Sequence, residues 1–200
     1  MSEERRFKGL GVSAGIAIGT AYVRESGVIE VAEYSITPAE IGGELERLGV
    51  AVKRAQRQIG RLQTKARKMP GAAAEELGFL LEAYQQMLHD SRLVRGACER
   101  VEDERINAEA AVQHEINAIA ETFQAMDDAY IAARFDDIRE VGNRLVLNLT
   151  RTPVRPFSSV PVGSIVIAEQ LTPADMAQLD PERVLGVATR LGGAEGHTAI

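Results

Sequence analysis

The stretch TPAEIGGELERLGVAVKRAQRQIGRLQTKARKMPG, residues 37–71, decides the fold. Thr37 caps a helix, Pro38 takes the first helical position, and Glu40, three residues after the threonine, completes a capping box. Ile41, Leu45, Leu48, Val52, Ala55, Ile59 and Leu62 then recur at alternating spacings of four and three. Such a heptad-like stripe gives a helix one apolar face that must pack on other helices. Met69-Pro70-Gly71 ends it. The same reading predicts a second helix with Leu77, Leu80, Leu81, Tyr84 and Leu88 on one face. A third begins near Asn107 and buries Val112, Ile116, Ile119, Phe123 and Met126. A fourth uses Phe135, Ile138, Gly142, Leu145 and Leu149. Four helices with short connections make an antiparallel bundle or paired helical hairpins.

Outward from this middle the chain changes character. Five of the seven prolines lie at 153, 156, 161, 173 and 181, and only Pro70 falls between Pro38 and Pro153. Residues 7–34 read as strands and turns: Gly9, Gly11, Gly15 and Gly19 punctuate Val12, Ile16-Ala17-Ile18 and Ala21-Tyr22-Val23. Residues 163–168 and 184–189 read as buried strands. Thr172-Pro173-Ala174-Asp175 between them is a second capped helix start. The expected architecture is one discontinuous α/β domain, residues 1–34 and 152–200, with an all-α four-helix subdomain, 35–151, inserted into it.

Composition narrows the function. Two hundred residues suit one or two domains. Aromatics are only 4% and tryptophan is absent, which fits packed helices. The net charge of −6 speaks against a nucleic-acid binder and permits a basic protein partner. One cysteine, Cys98, excludes an intramolecular disulfide framework and a cysteine-based metal site. The opening residues lack the apolar core of a secretory signal, and no apolar run approaches the roughly 20 residues of a membrane span. A cytoplasmic protein is expected.

The chemistry concentrates in Gly192-Gly193-Ala194-Glu195-Gly196-His197-Thr198-Ala199-Ile200. A strand, a glycine loop and a helix start form a ready phosphate site, because free backbone N–H groups and the helix dipole favour an anion. A histidine there can hydrogen-bond a phosphate or accept a phosphoryl group as a nucleophile. It can also simply cap the helix, and the spacing alone leaves these alternatives open. His89 and His114 lack metal-like partner spacing, and Cys98 reads as a small apolar helix residue. Arg61, Lys65, Arg67 and Lys68 complement a helix C-terminus.

GGAEGHTAI resembles the phosphohistidine loop of the Enzyme I family of the bacterial phosphoenolpyruvate-dependent phosphotransferase system, in a form most like alphaproteobacterial members. GLGVSAGIAIGTAYV resembles that family's N-terminal strands, and Leu171 to Leu179 its connector before the active loop. The resemblance covers nearly the whole chain in order. It implies an α/β phosphohistidine (swivelling) domain in which His197 is the catalytic phosphoryl acceptor through Nε2, supported by Gly192, Gly193, Glu195, Gly196 and Thr198. The donor would be phosphoenolpyruvate. The acceptor would be the histidine of HPr or of its nitrogen-branch relative.

Three departures stand out. Glu195-Gly196 replaces the family's Thr-Ser before the histidine. Met176 stands where some members carry a threonine that bonds the resting imidazole. The chain also stops three residues past His197, where the family continues into a barrel domain that binds phosphoenolpyruvate and Mg²⁺ and mediates homodimer formation. The expectation is therefore an N-terminal fragment with no metal ligand and no cofactor of its own, not competent with phosphoenolpyruvate alone.

By position in the family, the carrier-binding candidates are Glu75, Glu76, Leu80, Tyr84, Met87 and Leu93, then Phe123, Tyr130, Ile131 and Arg134. Leu80, Tyr84 and Phe123 also share the helical stripe, which makes them candidates for the core. Where relatives carry acids, this chain has Ser91 and Arg92. The rival readings are a swivelling domain of pyruvate phosphate dikinase or phosphoenolpyruvate synthase, against which the inserted helices speak, and a non-catalytic helical adapter.

Overall fold

The computed structural model describes residues 4–24, 31–69, 71–124, 129–151 and 157–191. The chain divides into two compact units, residues 28–155 and residues 1–27 with 156–200.

The larger unit is helical: α1 (Ile41–Ala66), α2 (Ala72–Asp90), α3 (Arg92–Asp103), α4 (Ala108–Gln124) and α5 (Ala129–Thr150). Helix α1 packs on α2 and α5, and α4 packs on α3 and α5. Leu48, Ala51, Ala55, Ile59, Leu62 and Ala66 form the buried stripe of α1. Leu81, Tyr84, Leu88, Val101, Val112 and Leu145 of the other helices are likewise fully buried.

The described residues of the helical unit hold five helices where four were expected. The extra one is α3, because Ser91 breaks the chain out of helix (φ −96°, ψ 166°) and restarts it by accepting the Val94 N–H. The capping box at Thr37 also forms differently. Glu40 accepts the Thr37 N–H at 2.8 Å, but the Thr37 hydroxyl donates to the same carboxylate at 2.7 Å, and the helix proper starts at Ile41.

Residues 31–34, read with the strands in the sequence, are stitched to the helices together with Ser35 and Ile36. Asn107 accepts the Tyr34 N–H at 3.0 Å and donates to the Ala32 carbonyl at 2.9 Å. Ser35 bridges Ile106 in antiparallel fashion, and Ile36 N–H donates to the Arg105 carbonyl. Buried Glu44 takes a capping role from a distance by accepting the Ala108 N–H at 2.8 Å where α4 begins. Arg47 bridges Glu44 and Glu109. Burial opposes its charge, but the two carboxylates outweigh that and raise its pKa.

The smaller unit holds a three-stranded parallel sheet ordered β1 (Thr20–Arg24), β2 (Ser164–Ala168), β3 (Val184–Thr189). Thr20 pairs with Ser164 and Arg24 with Ala168, and Ala168 in turn pairs with Thr189. Gly19 is required, since a Cβ there would collide with the Gly163 carbonyl oxygen. Phe157, Val160, Val166, Ala168 and Leu171 form the core under one sheet face, with Tyr22, Met176, Leu179 and Val184 against it. The apolar pieces at Val12 and Ile16–Ile18 form no strand; Ile16 and Ile18 are exposed.

Candidate functional site

Because the three strands run parallel, Arg24, Ala168 and Thr189 end together at one edge of the sheet. Parallel α/β sheets bind ligands at that carboxyl edge. Two arginines stand there. Arg24 lies over the Phe157 ring at 4.0 Å and pairs with Asp175 at 3.2 Å, both carboxylate and guanidinium being largely buried. Asp175 also closes a full capping box with Thr172: Thr172 N–H donates to Oδ2 at 3.2 Å and Asp175 N–H donates to Oγ1 at 3.1 Å. This fixes the short helix α6 (Pro173–Met176) and holds Met176 against the core. Arg190 pairs with Glu169 at 3.4 Å on the surface, while its N–H and that of Leu191 donate to the Ala168 and Glu169 carbonyls. The chain thus leaves β3 at the carboxyl edge, and the glycine-rich stretch follows Leu191 in the sequence. Gly192, Gly193, Glu195, Gly196, His197 and Thr198 lie outside the described residues.

The helical unit carries the other candidates. Glu75 and Glu76 are exposed on α2, and Met87 is half-buried. Leu80, Tyr84 and Leu93 are 6%, 1% and 2% exposed, so they support the surface from beneath and are core rather than contact residues. Tyr84 donates its hydroxyl to Asp137 at 3.0 Å inside the bundle. Burial, then Asp137 and Glu140, push its pKa far up. Phe123 is half-buried, its ring 6.4 Å from that of Phe135. Tyr130, Ile131 and Arg134 fall on α5, and their side chains lie outside the described residues.

Sequence reasoning passed over Phe79, 74% exposed on α2. The signal was present, because a large apolar residue at 79 is out of phase with the stripe through Leu77, Leu81, Tyr84 and Leu88. None of the described helices is long and apolar enough to cross a membrane.

Residues 8–134 match the family model of the PEP-utilising enzyme, N-terminal. The chain belongs to the PEP-utilising enzymes. Residues 160–200 of this PEP-utilising chain match the mobile domain of the same enzymes. A phosphoenolpyruvate-protein phosphotransferase of Geobacillus stearothermophilus is 33% identical over 197 residues, covering 98% of this chain and 33% of the relative. One of Cupriavidus necator is 32% identical over 201 residues, covering 96% and 34%. The chain therefore spans about a third of the length of these curated relatives. A solution structure of Enzyme I matches with a TM-score of 0.78 at 31% identity, over 94% of this chain and 75% of that one. The N-terminal domain of Enzyme 1 - Nitrogen matches at 0.64 and 27%, with the same coverage. The fold expected from the sequence, a helical subdomain inserted in an α/β phosphohistidine domain, is the fold of this family.

Proposed function

We propose that this chain is the phosphohistidine-bearing N-terminal part of a phosphoenolpyruvate-protein phosphotransferase. The observation that carries the reading is order. An N-terminal family match over 8–134 is followed by a mobile-domain match over 160–200, and that second match includes His197, which follows β3 in the sequence.

In this reading the His197 Nε2 lone pair attacks phosphorus. The new N–P bond forms as the P–O bond to the enol oxygen of phosphoenolpyruvate breaks, and enolpyruvate leaves to become pyruvate. Nδ1 keeps its proton, so the ring attacks as neutral imidazole. Backbone N–H groups of Gly192, Gly193, Gly196 and Thr198 are the donors proposed for the phosphoryl oxygens. The group then passes to the histidine of an HPr-type carrier docked on the helical unit. Glu75, Glu76, Met87, Phe123, Tyr130, Ile131 and Arg134 supply that surface, over Leu80, Tyr84 and Leu93.

Phosphoenolpyruvate binding, Mg²⁺ and homodimer formation belong in this reading to the rest of the protein. Among the described residues no group of three or more His, Cys, Asp or Glu is placed to hold a metal ion.

The test is labelling from a phosphorylated HPr-type carrier. An acid-labile phosphoramidate is expected on His197, and His197→Ala is expected to abolish it with helical content intact. Persistent labelling of that variant overturns the assignment.

A further inference from the structure

Helix α1 turns Leu48, Ala55, Ile59 and Leu62 into the bundle. Its outer face carries Lys53, Arg57, Arg61 and Lys65 at every fourth residue, and Lys68 follows three residues on. All five are exposed, and half-buried Arg54 flanks them. No aspartate or glutamate occurs between Glu46 and Glu75, although the chain as a whole carries a net charge of −6. None of these six cations forms an ion pair with a described residue. Arg47, Arg92, Arg100, Arg139 and Arg144 differ, since each holds a carboxylate. Helix stability does not account for the row. Like charges four residues apart repel one another. The helix dipole favours cations only in the last turn. That covers Lys65 and Lys68 but not Lys53, Arg54 and Arg57, which lie nine or more residues before the end of α1 at Ala66.

We propose that this row is a docking surface for an acidic helix of another protein, distinct from the phosphocarrier. Four-residue spacing sets successive cations about 6 Å apart along a line of about 22 Å. A helix with a carboxylate at every fourth residue has the same repeat, so one face of it can meet the whole row. Val50 and Met69, 40% and 42% exposed, bracket the cations. The occupant therefore carries an apolar residue over each end, and these set residence time while the charges set encounter rate. A nucleic-acid strand fits less well. Helix α1 has no aromatic residue on which a base could stack. The acidic remainder of the chain also repels a polyanion that runs beyond the row. The carrier is set apart by sign, because docking on Glu75 and Glu76 calls for a basic surface, which the row repels. The inference does not depend on the phosphotransferase reading.

The experiment titrates the full chain into three labelled probes of about 20 units each and follows fluorescence anisotropy. The first is an alanine-based helical peptide with glutamate at every fourth position and leucine at each end. The second is the same composition scrambled, and the third is a single-stranded RNA. The patterned peptide is expected to bind about tenfold more tightly than the scrambled one and to weaken as salt rises. Arg57→Glu with Arg61→Glu is expected to weaken it about tenfold or more, with no fall in the unfolding midpoint. Labelling of His197 by a phosphorylated HPr-type carrier is expected to proceed in that variant as in the parent. Equal binding of patterned and scrambled peptides overturns the proposal, as does a reversed variant that binds as the parent does. Tighter binding of the RNA overturns it in favour of a nucleic-acid partner. Loss of His197 labelling in the folded variant assigns the row to the carrier and overturns it as well.

Discussion

Gly96→Ala should destabilise the helical unit although it removes a glycine from a helix. Gly96 lies buried in α3, and its Cβ would stand 2.5 Å from Glu115 Cδ and 2.8 Å from both carboxylate oxygens. Glu115 is 6% exposed and holds two arginines, Arg100 Nε at 3.0 Å and Arg92 Nε at 3.2 Å. The substitution gains about 1 kcal/mol of helix propensity. To clear the methyl the carboxylate must retreat by about 1 Å, the distance from collision to ordinary contact, which stretches both hydrogen bonds past useful length. The bond to Arg100, a guanidinium only 25% exposed, is worth about 2 kcal/mol. That to Arg92, 61% exposed, is worth well under about 1 kcal/mol after solvent screening. The carboxylate left short of partners adds about 1 kcal/mol or more. The net is a loss of about 2 kcal/mol, read as a midpoint about 4–8 °C lower in thermal unfolding followed by helical circular dichroism. With Glu115→Ala already in place the obstacle is gone, and Gly96→Ala should instead stabilise by about 1 kcal/mol. The same sign in both backgrounds would refute this account of Gly96.

Tyr84→Phe should cost about 1–2 kcal/mol in denaturant unfolding, because buried Asp137 loses the hydroxyl it accepts. Tyr84 should also stay un-ionised in alkaline absorbance titrations until the bundle unfolds, since burial and then Asp137 and Glu140 raise its pKa. The Glu40 carboxyl is held below its ordinary 4.5 by the Thr37 N–H and then by the Thr37 hydroxyl. Its contribution is therefore present above pH 4.5 and lost as acid carries the pH down through the lowered folded value. Acid unfolding curves of Glu40→Gln should lack that component.

Much of the fold was legible because periodic apolar residues mark buried faces. Leu48, Ala55, Ile59 and Leu62 in α1, and Val112, Ile116 and Ile119 in α4, are buried as their spacing requires. Helix α3 escaped for the opposite reason. Its buried face is Leu93, Gly96, Ala97 and Val101, two of them too small to register as apolar periodicity, and its start signal was the single Ser91 cap. Glu44 was illegible because its partner at Ala108 lies 64 residues along the chain, and local rules read only neighbours. Of the candidate site, the acids at 75 and 76 could be placed on a surface from sequence. The choice between core and surface at Leu80, Tyr84 and Leu93 could not, since an apolar residue on a helix carries no mark of which neighbour covers it. Phe79 was visible only as a break in phase.

Strands β1 and β2 are hydrogen-bonded neighbours, yet the entire helical unit lies between them along the chain. This sets an order of assembly. During synthesis Thr20–Arg24 emerges early and has no β partner until Ser164 follows. The helices, whose packing partners lie within residues 28–155, can form in the meantime. Loop-closure entropy for the β1–β2 pairing grows with the length of flexible chain between the strands. A folded insert removes most of that flexible length, so the bundle serves as a rigid spacer across which the sheet then closes. Substitutions in the bundle core would accordingly slow formation of a sheet that they do not touch.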